Sequence, residues 1–300
     1  YRTRTFQGSF IITQQTLEDQ ELGRAKDDAS RFIKRWQGDI VEYGVAALSA
    51  AFGEEVIWGT TAEGKSKLKL TSADTVDGTL DGVKNPLFTS KHTLVKRDNM
   101  TAADITASLQ SNCFYADVDI LGSDPARIAK LGDVINQVIT YMENLKDDNG
   151  KYAGVSGAKR IVTGNDPHLK AAIETALSMD MFKQGESMQI NPAYKRAELD
   201  VSPYFLDIPQ CKAGQGFFIV DKAYNAENHG LEITERIALT LDVVWQKRPA
   251  GVIYDGRQRF DINVATWRGV AYVYLGTPDG ATGKWNDITH FTEVTPAATI

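Results

Sequence analysis

Two cysteines and four histidines are all that the sequence offers to thiol chemistry or to a soft metal. Cys113 and Cys211 lie far apart, so they make neither a disulfide framework nor a zinc site, and a reducing compartment is the default expectation. His92, His168, His229 and His290 have no helical spacing to one another and no cysteine pair beside them, so solvated or partly buried histidines are expected. No apolar run approaches the roughly 18 residues that a membrane span needs. A basic excess is missing too. The formal net charge of −6 gives no support to a nucleic-acid reader, although it tolerates loose contact with DNA packed nearby. There is no Walker loop, no Gly-x-Gly-x-x-Gly fingerprint, no repeat of fixed period and no low-complexity segment. The first residue is Tyr1, its opening stretch has no charged-then-apolar pattern, and the expectation is a chain that opens mid-protein, behind a segment either removed or mobile.

What is present is ordinary in amount and unusual in arrangement. Hydrophobic content of 42% and charged content of 24% suit a folded chain with one large core or two modest ones. Residues 16–52 carry apolar side chains at Leu22, Ala25, Ala29, Phe32/Ile33, Trp36, Ile40, Tyr43, Ala47/Leu48 and Ala51/Phe52, in steps of three and four. That spacing predicts one amphipathic helix, capped by Thr16, with Glu18 and Asp19 at its positive end and Gly53 closing it. Such a helix would be roughly 55 Å long. A compact chain of this size is only about 50 Å across. The expectation is therefore a flat or elongated subunit, with Gly23, Gly38 and Gly44 held in the helix by packing. Trp36 and Tyr43 share one helix face, and core packing is the expectation for both.

Around this helix the expected class is α+β. Residues 2–13 read as a strand interrupted at Gly8, and residues 56–58 as a short one. Residues 59–100 are polar and turn-rich and are expected to form a long surface excursion ordered by neighbouring subunits. Helices are expected over 126–145, capped by Ser123 or Asp124, and over 168–177, capped by Asn165 or Asp166. Strands are expected at 160–163, 198–201, 204–208 and 216–220, with the rest of 178–209 irregular. In the C-terminal third, Ile237, Leu239, Leu241, Val243 and Trp245 alternate as one face of a long half-buried strand. Further strands run through Phe260, Ile262 and Val264 and through Val270, Tyr272 and Tyr274. Residues 247–257 are read as a loop, and 267–269 as a turn.

The search for chemistry returns no catalytic, cofactor-binding or metal-ligating residue. Asp74-x-x-Asp77-Gly78-x-x-Asp81-Gly82 lacks the alternate acids and terminal Glu of a calcium loop and reads as two Asp-Gly turns. Gly154-Val155-Ser156-Gly157 is followed, not preceded, by a strand, so it reads as a flexible connector rather than a nucleophile elbow. The carboxylate pairs Glu54-Glu55 and Asp147-Asp148 fall at helix ends, where capping and turn roles suffice.

Three stretches carry a family resemblance. Thr5-Phe6-Gln7-Gly8-Ser9-Phe10-Ile11-Ile12-Thr13 runs into Leu17-Glu18-Asp19; Asp81-Gly82-Val83-Lys84-Asn85-Pro86-Leu87-Phe88-Thr89-Ser90-Lys91-His92 follows the long helix; Arg160-Ile161-Val162-Thr163 precedes the helix that starts at Pro167. Together they resemble the major capsid proteins of tailed phages with the Hong Kong 97-type fold, above all the Mu-like head-subunit branch. The resemblance implies the base of an extended loop at 1–15 and a peripheral domain at 16–154 with a spine helix. It implies a central axial domain at 155–232, and return strands and tail at 233–300. It implies a non-enzymatic structural protein without cofactors, assembled in the host cytoplasm into pentamers and hexamers of an icosahedral virion shell. Scaffolding, portal and decoration proteins would be partners, double-stranded DNA a non-specific neighbour, and membranes none. Residues 247–257 would make contacts at three-fold positions. The family's Lys–Asn crosslink has no matching motif here. A bacterial nanocompartment shell of encapsulin type shares the same subunit physics and stands as the alternative, with a soluble α+β enzyme as a further one.

Overall fold

The structure, a computed structural model, describes residues 4–13, 22–58, 66–76, 82–93, 101, 108–121, 125–184, 187–247, 250–280 and 284–296. In chain order its elements are β1 (Arg4–Thr13), α1 (Leu22–Ser49), β2 (Val56–Trp58), β3 (Ser66–Leu68), β4 (Thr71–Thr75), β5 (Lys84–Pro86) and β6 (Cys113–Ala116). There follow α2 (Pro125–Glu143), β7 (Lys159–Thr163), α3 (Pro167–Ser178), β8 (Met181–Gln184), β9 (Ser187–Ile190), β10 (Ala197–Val201), β11 (Gly216–Asp221) and α4 (Lys222–Asn228). The last are β12 (Leu231–Lys247), β13 (Ala250–Val264), β14 (Val270–Leu275) and β15 (Thr292–Glu293). The class is α+β, and the chain divides into two compact units: Tyr1–Gly44 with Glu232–Asn263, and Val45–Leu231 with Val264–Ile300.

The first unit lays α1 on a three-stranded sheet of order β1-β13-β12. Period-two alternation decides which side of β1 is covered: Phe6, Phe10 and Ile12 turn inward, while Thr5, Gln7, Ser9 and Ile11 face out. β1 runs antiparallel to β13 with Gly8 opposite Gly256. With no Cβ on either residue, the pair leaves a notch, and the rings of Phe32 and Trp36 fill it. A Cβ built on Gly8 would lie 3.0 Å from the Trp36 ring, and one on Gly256 3.1 Å from the Phe32 ring. Aromatic contacts spread from there: Phe10 stacks on Tyr254, Phe6 stacks on Phe260, and Tyr43 meets both Phe6 and Phe260 edge-on. Each such pair adds about 0.5–1.5 kcal/mol beyond area burial. Two polar bonds fix the register of helix on sheet. Trp36 Nε1 donates to Gln258 Oε1 at 2.6 Å, and the Tyr43 hydroxyl to Asp261 Oδ1 at 2.6 Å. Trp36 and Tyr43 are therefore core residues, as their spacing predicts.

The helix itself is 28 residues long over Leu22–Ser49, about 42 Å at 1.5 Å per residue. A 3₁₀ turn, Ala50–Phe52, continues it, and Gly53 ends that turn with a left-handed φ of 94°, the role its position in the sequence suggests. The expected cap at Thr16 and the acids at Glu18 and Asp19 lie outside the described residues.

In the second unit a six-stranded mixed sheet has the order β10-β7-β11-β14-β6-β15. The pairs β10/β7, β14/β6 and β15/β6 are parallel, and β7/β11 and β11/β14 antiparallel. Leu131, Ile135, Val138 and Ile139 of α2 and Leu169 and Ile173 of α3 pack with Ile161, Phe217, Ile219 and Val273 of the sheet. Alternate sheet residues join an aromatic cluster instead, in which Phe218 and Tyr272 meet Phe88 and Tyr272 meets Phe52. Asp166 caps α3 by accepting from the His168 and Leu169 amides, with Pro167 in the first turn.

Four expectations need correction. Residues 250–257 are strand, not loop: β13 begins at Ala250, and only residues 248–249, outside the described set, separate it from β12. Gly251 and Gly256 look like turn formers in sequence, yet both sit in the ladder where another chain segment comes too close for a side chain. A Cβ on Gly251 would lie 2.5 Å from the Ile12 carbonyl oxygen. The described parts of 59–100 are not a surface excursion, because Leu68, Leu70, Leu87 and Phe88 are buried and β4 pairs with β5. The 178–209 stretch holds an antiparallel hairpin, β8–β9. Residues 203–207 form a 3₁₀ turn begun by Pro203 rather than a strand.

The notch gives opposite predictions for glycines in one unit. Gly256→Val overfills the space held by Phe32 and Trp36 and is expected to cost about 1–3 kcal/mol. Gly44→Ala meets only an ordinary 3.7 Å contact with Ile262 in a helix interior. It is expected to be neutral or to stabilise by up to about 1 kcal/mol. Urea unfolding followed by tryptophan fluorescence checks both signs.

Candidate assembly surface

The sequence places Ile237, Leu239, Leu241, Val243 and Trp245 on one half-buried face of a strand. The strand forms, but the burial stops partway. Ile237 and Leu239 are half-buried, whereas from Leu241 to Trp245 every residue is exposed on both faces of β12. Val243 is 55%, Val244 49% and Trp245 74% exposed. β12 is also a terminal strand of its sheet, so its outer backbone groups take no further strand among the described residues. A long apolar edge with unpaired N–H and C=O groups is a template for another extended segment, and single proteins normally blunt or cover such edges. Asp242 and Lys247 are the only charges in the exposed part of β12. Exposed apolar residues of this size, grouped on one element, mark an interaction surface.

The histidines and carboxylates are tied into the fold or lie at its surface. His92 is fully buried, contrary to the expectation of a solvated or partly buried ring. His168 and His229 are exposed and His290 partly so; His229 holds the left-handed cap of α4. No three His, Cys, Asp or Glu side chains converge on a metal position among the described residues. Asp74 lies in β4, while Asp77 and Asp81 fall outside the described residues. Glu54 accepts from the Trp285 amide, and Glu55 pairs with Lys67 at 2.9 Å. Asp147 accepts from the Asn149 and Lys151 amides, and Asp148 accepts from Arg268.

The Gly154–Gly157 stretch is pinned rather than loose. Lys159, itself buried, donates from Nζ to the Val155 carbonyl at 3.0 Å, the Gly157 carbonyl at 2.8 Å and Asp221 Oδ2 at 2.8 Å. Asp221 also accepts from the Gly157 amide and, through Oδ1, caps α4 at the Tyr224 amide. All three ammonium protons and both carboxylate oxygens are used. This matching makes two buried charges tolerable.

A cleft of about 280 Å³ opens between α2 and α3, lined by Ile120, Arg127, Ile128, Pro167 and His168. Arg127 is spent on the Asp119 carbonyl at 2.7 Å. The side chains with displaced ionisation lie elsewhere: burial raises Cys113, Cys211 and Tyr272, and Asp74 is lowered within a buried hydrogen-bonded cluster. No described helix is long and apolar enough to cross a membrane.

No protein-family model matches the sequence, and no curated protein matches it. Among solved structures the chain is similar to one in the bacteriophage PhiM1 mature capsid, with 10% identity over 92% of this chain and 72% of that one and a TM-score of 0.46. It is similar to one in the capsid of Myoviridae phage XM1, with 9% identity over 91% and 74% and a TM-score of 0.46. A chain of the holo-SrpI encapsulin complex from Synechococcus elongatus PCC 7942 is also similar, with 9% identity over 91% and 74% and a TM-score of 0.41.

Removing one partner of the buried pair separates a structural charge from a surface one. Asp221→Ala leaves the Lys159 ammonium without a counter-charge and α4 without its cap, and is expected to cost about 3–5 kcal/mol. Glu198→Ala, which removes an exposed partner of Arg160, is expected to change stability little. Thermal unfolding of the two variants side by side makes the comparison.

Proposed function

We propose that this chain is the major capsid protein of a tailed double-stranded DNA bacteriophage, of the Hong Kong 97-type and Mu-like branch, whose copies close into an icosahedral shell around the genome. The observation that carries the reading is β12, a strand of 17 residues at a sheet edge whose far end exposes apolar side chains on both faces. Such a surface is finished only by another chain. A shell built from one polypeptide supplies that chain by repetition of a single interface. The sequence resemblance at residues 5–13, 81–92 and 160–163 points the same way. The solved structures named above, two phage capsids and an encapsulin complex, are compatible with this reading.

In this reading α1 is the spine helix, the first unit belongs to the peripheral domain, and residues 155–232 form the axial domain around five- and six-fold axes. Large obligate interfaces of such shells bury thousands of Å². The net negative charge is compatible with enclosed DNA, because the role requires proximity and not sequence reading. Pentamers and hexamers of this chain are the direct partners, with scaffolding, portal and decoration proteins as further ones. The virion is the location.

The purified protein is expected to form capsomers or shells visible by electron microscopy and to sediment accordingly. A monomer that stays monomeric at assembly concentrations overturns the proposal. The double variant Val243→Glu with Trp245→Glu is expected to keep its circular dichroism spectrum and to lose assembly. Assembly that proceeds normally with both charges in place removes β12 from the interface. Nucleic acid inside the particle identifies a phage head, and a cargo enzyme identifies a nanocompartment.

A further inference from the structure

His92 sits where every described neighbour of its ring nitrogens is an acceptor. Nδ1 lies 3.1 Å from both carboxylate oxygens of Asp74. Nε2 lies 3.1 Å from the Leu87 carbonyl oxygen and 3.0 Å from Asn112 Oδ1. The Asn112 amide cannot be turned round to offer its N–H₂ instead. Its Oδ1 accepts from the Thr89 amide, while its Nδ2 donates to the carbonyls of Leu87 and Trp267. The ring has to donate on both sides, and only a doubly protonated imidazole has two N–H groups.

The second proton belongs to the ring rather than to Asp74. That carboxylate also receives the Asn85 side-chain amide, the Thr93 backbone amide and the Ser72 hydroxyl, all of which favour its ionised form. Burial pushes the Asp74 carboxyl up, but these hydrogen bonds and the His92 charge outweigh it and hold the group below the usual carboxylate range. The imidazole ring also lies flat on the Trp267 indole, with centroids 3.8 Å apart and planes 2° from parallel. An aromatic face attracts a cation placed there.

We infer that His92 is a buried imidazolium and that its charge is a lock, tying β4, β5 and the 87–93 segment to Asn112 and to the turn before β14. The lock is present while both partners are charged. It is lost at low pH when Asp74, held below the usual carboxylate range, takes up a proton. The charged groups facing the site are few among the described residues. Asp74 comes from β4; Arg268 lies 5.1 Å from the Trp267 ring and is held by Asp148 and the Lys146 carbonyl; Lys84 of β5 and Lys91 of the 87–93 segment are exposed, and the groups that bond to the ring and to Asp74 from those elements are neutral. This inference stands independently of the shell reading.

The test uses the full chain with His168→Gln, His229→Asn and His290→Gln, so that ¹⁵N-labelled histidine reports His92 alone. At neutral pH both ring nitrogens are expected to resonate together at the protonated position. In Asp74→Asn, where the new amide can donate to Nδ1, they are expected to split into the pattern of a neutral Nε2–H ring. Hydrogen exchange adds a second reading, because the His92 and Gln110 amides bond to each other's carbonyls. Their protection, corrected for the intrinsic rate, is expected to be lower in Asp74→Asn than in the Asp74 protein. An unprotonated ring nitrogen at neutral pH in the Asp74 protein overturns the inference, as does a doubly protonated ring that persists in Asp74→Asn. The wild-type ring spectrum decides the matter even if Asp74→Asn does not fold.

Discussion

The fit of Trp36 and Phe32 into the gap between Gly8 and Gly256 sets the rest of the first unit. A helix lying on a sheet can slide along it unless something interlocks, and here an indole and a phenyl ring occupy space that two absent side chains leave free. Once they are seated, Tyr43 falls between Phe6 and Phe260, and Phe32 meets Phe10. Gln258 and Asp261 then stand at hydrogen-bond distance from the two rings that carry polar handles. The same arrangement explains what is left over. A helix covers one face of a three-stranded sheet over a limited length. The end of β12, from Leu241 to Trp245, gets no cover on either face among the described residues.

The second unit has a core of its own. Its sheet carries α2 and α3 with an aliphatic core, and the Phe52, Phe88, Phe218 and Tyr272 cluster takes alternate residues of the central strands. Two charge pairs are sunk into it, Lys159 with Asp221 and His92 with Asp74. Neither sits in the open cleft, and each has its protons and lone pairs matched almost one to one. Buried ions matched in this way do more to fix a single geometry than to add net stability.

Local periodicity made much of this legible. The steps of three and four in 22–52, the Pro167 start with its Asp166 cap, and the alternation in 216–220 and 270–275 depend only on neighbours in sequence, so each could be read directly. The failures have a common cause. Gly251 and Gly256 resemble turn residues until the partner strand is known, and their reason for being glycine is a backbone or a ring more than 200 positions away in the chain, at Ile12, Phe32 and Trp36. The polar stretch from 66 to 93 looked solvated because its apolar residues are sparse. Its Leu87, Phe88 and His92 are nevertheless wholly buried, with polar neighbours matched to one another instead of to water. The alternating run 237–245 forms the strand its spacing predicts, but only Ile237 and Leu239 of the predicted inner face are half-buried, since alternation tells which face a residue takes and not whether that face is covered.

Sequence alone therefore determined the elements whose signals are local: the long amphipathic helix and its closing glycine, the capped helix of the second unit, the strand content of the last third and the α+β class. Tertiary structure decided which glycines are notches and which are turns, that a histidine in a polar stretch is buried among hydrogen-bond acceptors, and that a strand end is exposed. The division follows from range. Helix and strand periodicity is a property of consecutive residues, whereas exposure and the hydrogen-bond partners of a ring depend on whichever distant segment the fold places beside them.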